Sequence, residues 1–234
     1  MSDDALIAEA LRIYRRYATE IIERHGFCPW AERARLEGHV TERVLVQQDP
    51  ADMAPSLAAI SELAGNPAIE IGLLIYPRLE LGRVDFDHFT AELRRADTPR
   101  HELGTVPFAM AAFHPDARPD LSDAERLIPF IRRSPDPTIQ LVRQSVLERV
   151  RSRSPEGTAF LDPASLDLER LLAEQADAPV PLRQRIARTN RDTVSRVGVG
   201  EVEAQLAEIF RDRDQSYARL GLPGRGAFRT DDPR

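Results

Sequence analysis

Six side chains carry most of the chemistry this sequence offers: Cys28, His114, Arg132, Arg133, Ser134 and Arg143. Cys28, the single cysteine, stands immediately before Pro29 in the run Phe27-Cys28-Pro29-Trp30-Ala31. Proline favours the first turn of a helix, so this spacing predicts the thiol at a helix N-cap. Unpaired amides and the helix dipole would stabilise a thiolate there, provided water reaches it. The competing reading is a small buried residue packed with Phe27 and Trp30, a common fate for free cysteine. His114 ends an apolar run and precedes Pro115 and Asp116. At the carboxyl end of a strand, an imidazole can act as general acid, general base or metal ligand. It can equally cap the strand end by hydrogen bonding.

Arg132, Arg133 and Ser134 precede Asp136-Pro137, which reads as the N-cap and first residue of a helix over 138–152. Guanidinium groups and a hydroxyl at such a helix start make an anion cradle. Arg143 borders the stripe Ile139, Val142, Val146 and Val150, either snorkelling to the surface or turned inward onto an anion. Together these groups suggest a small-molecule enzyme. Cys28 would be nucleophile or redox thiol and His114 the acid or base. Arg132, Arg133, Ser134 and Arg143 would hold a carboxylate or phosphate. Two alternatives stand beside it. One is a non-catalytic ligand- or protein-binding module, whose 115–137 segment and C-terminal helices dock on a partner or a second copy. The other is a haem or metal binder using Cys28 and His114. The residues leave the reaction and any cofactor open. Asp116, Asp120 and Asp123 lack the glycine and terminal glutamate of an EF-hand loop, so no metal site is assigned to them.

The elements that must position these groups follow from periodicity. Ile7, Leu11, Tyr14, Ala18 and Ile21 predict an amphipathic helix over 4–24, closed by Gly26. Strands are predicted at 40–48, 69–76 and 106–113, with helices between them at about 50–64 and 85–96. After residue 138 the pattern is helical, at 138–152, 163–176, 180–197 and 199–219. The expected fold is α/β: a small central sheet of about three strands, helices packed on it, and a largely helical C-terminal half. Residues 1–220 are expected to form one domain and 221–234, rich in glycine, proline and charge, a flexible tail.

Composition narrows the partners. The chain has 234 residues and a net charge of −6, which gives no basic field for nucleic acid or an anionic membrane surface. It contains no lysine, so all 32 basic residues are arginines and any anion must meet a guanidinium fork. Neither a signal-peptide pattern nor a membrane-length apolar run is legible, so a cytoplasmic protein is expected. The arginine-rich, lysine-free composition points to a bacterium. A homo-oligomer is left open.

The motifs Cys28-Pro29-Trp30-Ala31, Leu73-Leu74-Ile75-Tyr76-Pro77, Phe113-His114-Pro115, Arg133-Ser134-Pro135-Asp136-Pro137 and Gln140-Leu141-Val142-Arg143-Gln144 occur in an order that resembles a bacterial family of unknown function. The likeness spans about residues 5 to 198 and implies a shared pocket, with no activity attached. Tyr76 and Gln140 stand where that family carries histidines, and Gln144 where it carries an acid. Cys28, His114, Arg133 and Arg143 match its pattern.

Overall fold

The computed structural model describes residues 3–101, 105–152 and 182–224. The predicted helix at 163–176 and most of the predicted tail lie outside them. The helices and strands, in chain order, are α1 (Asp3–Tyr17), continued by a π-helical turn (Ala18–Glu23), α2 (Ala31–Leu36), β1 (Val40–Val44), α3 (Ala54–Ala64), β2 (Ile71–Ile75) and α4 (Arg83–Asp97). They continue with β3 (Phe108–Phe113), α5 (Ile128–Ile131), β4 (Thr138–Arg143), α6 (Gln144–Ser152), α7 (Leu182–Val197) and α8 (Val199–Arg219). The result is a mixed α/β fold with helices on a single described sheet.

The strands lie in the order β1-β2-β4-β3. β1 and β2 are parallel, joined through α3, whereas β4 runs antiparallel to both β2 and β3. The fourth strand corrects the expectation of a helix beginning at Thr138. Thr138-Ile139-Gln140-Leu141-Val142-Arg143 forms a strand between β2 and β3, and the helix begins only at Gln144. Spacing misleads here because Ile139 and Val142 fit a helical stripe as well as a buried strand. A central location with β-branched residues decides for the strand, since both faces find apolar cover and both edges find ladder partners.

Each sheet face has its own core. On one, Leu74, Ile139, Leu141, Phe108 and Met110 pack against Ile60 and Leu63 of α3 and Phe86, Phe89 and Leu93 of α4. Gly72 permits this approach, because a Cβ there would stand 2.8 Å from Leu63 Cδ1. On the other, Ile71, Leu73, Ile75 and Phe113 meet Leu6, Ile13 and Tyr17 of α1, together with Leu206, Ile209 and Tyr217 of α8. The α1 residues Leu6, Ala10, Ile13, Tyr14 and Tyr17 recur at helical spacing. Each large apolar side chain so buried contributes roughly 1.5–3 kcal/mol. Arg12 and Arg16 of α1 both reach Asp212 of α8, and these paired donors hold its carboxyl down to about 2.

Candidate functional site

Sheet alternation builds the floor of a groove on the α1 face. The registers align Glu42, Leu73, Gln140 and Ala111 as one row across the sheet, and Val40, Ile71, Val142 and Ala109 as the next. All eight line a groove of about 1270 Å³. Its walls come from α1 and the π-turn (Tyr14, Arg15, Ala18, Thr19, Ile22, Glu23), the Phe27–Ala31 segment, α5 with Arg132, and α7 (Ile186, Ala187, Asn190). The lining is predominantly apolar with a few polar groups, as small-molecule sites generally are.

Local structure explains how Cys28 reaches this wall. Gly26, with φ +65°, ends the opening helical segment, as its glycine predicts. Phe27 donates its N–H to Ile22 O at 2.9 Å, while Asn190 of α7 donates to Phe27 O at 3.2 Å. The following helix begins at Ala31 with Trp30 as its cap, so the expected N-cap position of Cys28 is corrected by two residues. Burial pushes the Cys28 thiol up. The N–H groups of Trp30 and Ala31 and the charge of Arg132 oppose that shift without overcoming it. The residue keeps some exposed surface along the groove, but its surroundings are dense enough for desolvation to dominate.

Arg132 follows the short α5 and donates its own N–H to Ile128 O at 3.1 Å. Its guanidinium lies 5.4 Å from the Phe113 ring centre, at the groove wall. Arg132 and Cys28 therefore share one hollow. His114, Arg133, Ser134 and Arg143 are not among the residues that line it.

His114 is 4% exposed. Asp116 N–H donates to its Nδ1 at 3.2 Å, so Nε2 carries the proton and donates to Leu81 O at 3.0 Å. That geometry is the strand-end cap described above. Arg133 crosses from the Phe130 and Phe210 rings to donate to Pro115 O at 3.1 Å, bracing the 115 turn against α8. Ser134 donates to Asp136 O at 2.5 Å and Thr138 donates to the same oxygen at 2.9 Å, closing the turn into β4. Asp136 is no helix cap. Its carboxylate receives Arg213 Nε and the Tyr217 hydroxyl, each at 2.7 Å. Arg143 donates to the carbonyls of Leu63, Asn66 and Ile69 below the opposite sheet face.

Tyr76 and Gln140 also separate. Tyr76 lies among Phe86 and Phe89 with its hydroxyl on Ser56, whereas Gln140 faces the groove. Cys28 and His114 sit in different surroundings. Among the described residues no group of three or more His, Cys, Asp or Glu side chains is placed to hold a metal. Nor is any helix among them long and apolar enough to cross a membrane.

Fold and groove together define a mixed α/β protein with a partly polar, largely apolar hollow on one sheet face. Residues 9–176 match the family described as protein of unknown function (DUF1415), and the chain belongs to that family. No curated protein and no solved structure matches the chain.

Proposed function

We propose that this protein binds an apolar small molecule with an anionic end, a carboxylate or a phosphate, in the groove on the α1 face of the sheet. The observation that carries this reading is the location of Arg132. A guanidinium stands at the wall of a hollow whose floor is Ile71, Leu73, Ala109, Ala111 and Val142. An apolar body gains from covering that floor, and the charge fixes which end enters where. Trp30, the single tryptophan, lines the same hollow and reports on occupancy.

Titration with decanoate or decyl phosphate, followed by Trp30 emission, is expected to show saturable binding. Arg132→Gln is expected to weaken it roughly 10- to 100-fold, the worth of a hydrogen bond to a charged group. Wild-type protein that leaves both probes unbound, or an Arg132→Gln variant with unchanged affinity, would reject the proposal.

A second reading makes Cys28 a nucleophile toward the bound molecule, favoured by the N–H groups of Trp30 and Ala31 turned to its sulfur. Desolvation acts against it. Iodoacetamide alkylation is expected to accelerate only through a midpoint above the ordinary thiol value of about 8.5, leaving little thiolate at neutral pH. A midpoint below that value would restore the nucleophile.

A further inference from the structure

Building on ligand binding at this groove, we infer that the Gln140 carboxamide reads the amide and adjoining carboxylate of the ligand, which makes the ligand an N-acyl amino acid. Gln140 occupies the middle of the floor. In its row it lies between Leu73 of β2 and Ala111 of β3, and Val142 follows it on the same face of β4. All three neighbours are apolar and line the same hollow. Other polar side chains of the groove already answer one another or the backbone. Arg15 pairs with Glu42 at 2.9 and 3.2 Å, Arg35 pairs with Glu23 at 2.8 and 2.8 Å, and Asn190 donates to Phe27 O at 3.2 Å. The half-buried Gln140 carboxamide makes no hydrogen bond among the described residues and faces into the groove.

Water meets that carboxamide while the groove is open. An apolar body laid over the floor displaces the water, and strands donor and acceptor unless the ligand brings partners for both. A carboxamide presents an oxygen acceptor and an N–H donor along one edge. An amino acid in extended conformation presents the complement, its amide N–H and a carboxylate oxygen pointing the same way. The N–H donates to Gln140 Oε1 and the oxygen accepts from Nε2. A simple fatty acid or an ester supplies acceptors alone and leaves Oε1 unmet. The register sets the carboxylate close by. Gln140 and Phe113 are diagonal neighbours across β4 and β3, a backbone separation of about 7–8 Å. The Arg132 guanidinium lies 5.4 Å from the Phe113 ring centre, on the side towards which the acid extends. The acyl chain then covers the apolar remainder of the floor.

Calorimetric titration compares wild-type protein with Gln140→Met, using N-octanoylglycine, its ester analogue octanoyloxyacetate, and undecanoate, anions of equal chain length. Methionine is unbranched and fills the same space without the carboxamide. Gln140→Met is expected to melt at or above the wild-type temperature, since no described partner is lost. Wild-type protein is expected to bind N-octanoylglycine roughly tenfold more tightly than either other anion, the effect of a bond made against an acceptor left unmet. In Gln140→Met that preference is expected to shrink to about twofold or less, because neither hydrogen bond can form. Equal wild-type binding of amide and ester, or a preference that survives in Gln140→Met, overturns the role of Gln140 while leaving the groove as a binding site. Undecanoate binding more tightly than N-octanoylglycine overturns the amino-acid class and likewise leaves the groove. Failure of wild-type protein to bind any of these anions overturns both the ligand class and the site.

Discussion

Asp136→Ala is expected to destabilise the fold by about 3–5 kcal/mol, because it strands a buried cation. Arg213 and Asp136 are each 1% exposed. Arg213 Nε meets one carboxylate oxygen and the Tyr217 hydroxyl meets the other, while the guanidinium lies 4.3 Å from the Tyr217 ring centre. Asp214 takes a second guanidinium nitrogen at 2.9 Å but is itself partly exposed, so it screens only part of the charge. Urea unfolding at constant slope measures the loss. The triple variant Asp136→Leu, Arg213→Met, Tyr217→Phe is expected to recover most of it, since removing a buried ion pair whole costs far less than breaking it. A single-variant loss below about 1 kcal/mol, the ordinary effect of an average substitution, would show that the cation finds another partner. The same tether holds the turn that carries Arg132, so decanoate binding should weaken in Asp136→Ala and return with the triple variant.

How much of this was legible follows from range. The sheet-and-helix class, three of the strands and the two long C-terminal helices declare themselves through local periodicity, which a stretch of residues carries within itself. β4 does not, because its character comes from lying between β2 and β3, which are distant in the chain. Gln140 was concealed by the same ambiguity: on a helix it is a surface residue, whereas on a strand alternating with Ile139 and Leu141 it is a polar group on the groove floor. Tyr14 read as part of an apolar stripe, and it is buried as the stripe predicts. Arg213 gave no local signal, since its carboxylate lies 77 residues away. Residue type alone singled out Cys28 and Arg132, and the arginines beside β4 looked equivalent to Arg132 until the strand placed them.

Arg143→Ala is expected to cost about 2–3 kcal/mol of stability, the worth of its charged-donor hydrogen bonds less rehydration of the carbonyls it leaves. Arg143 Nε reaches Ile69 O at 2.6 Å, and Nη2 spans Leu63 O at 3.1 Å and Asn66 O at 2.7 Å. Those oxygens belong to the end of α3 and the turn into β2, where a finished helix leaves carbonyls without intrahelical donors. The Phe108 ring, 4.7 Å from the guanidinium carbon, fixes the plane of the fork. Arg143→Lys is expected to recover little, because one ammonium cannot present donors to three carbonyls around a planar group. Decanoate affinity of the folded Arg143→Ala protein is expected to stay within about twofold of wild type, since its partners lie under the opposite face and additivity holds between separate sites. A tenfold loss of binding with stability intact would return Arg143 to the anion site that its sequence position suggested. The expected result leaves Arg132 as the guanidinium that meets the ligand and makes Arg143 the clasp that closes α3 onto the sheet.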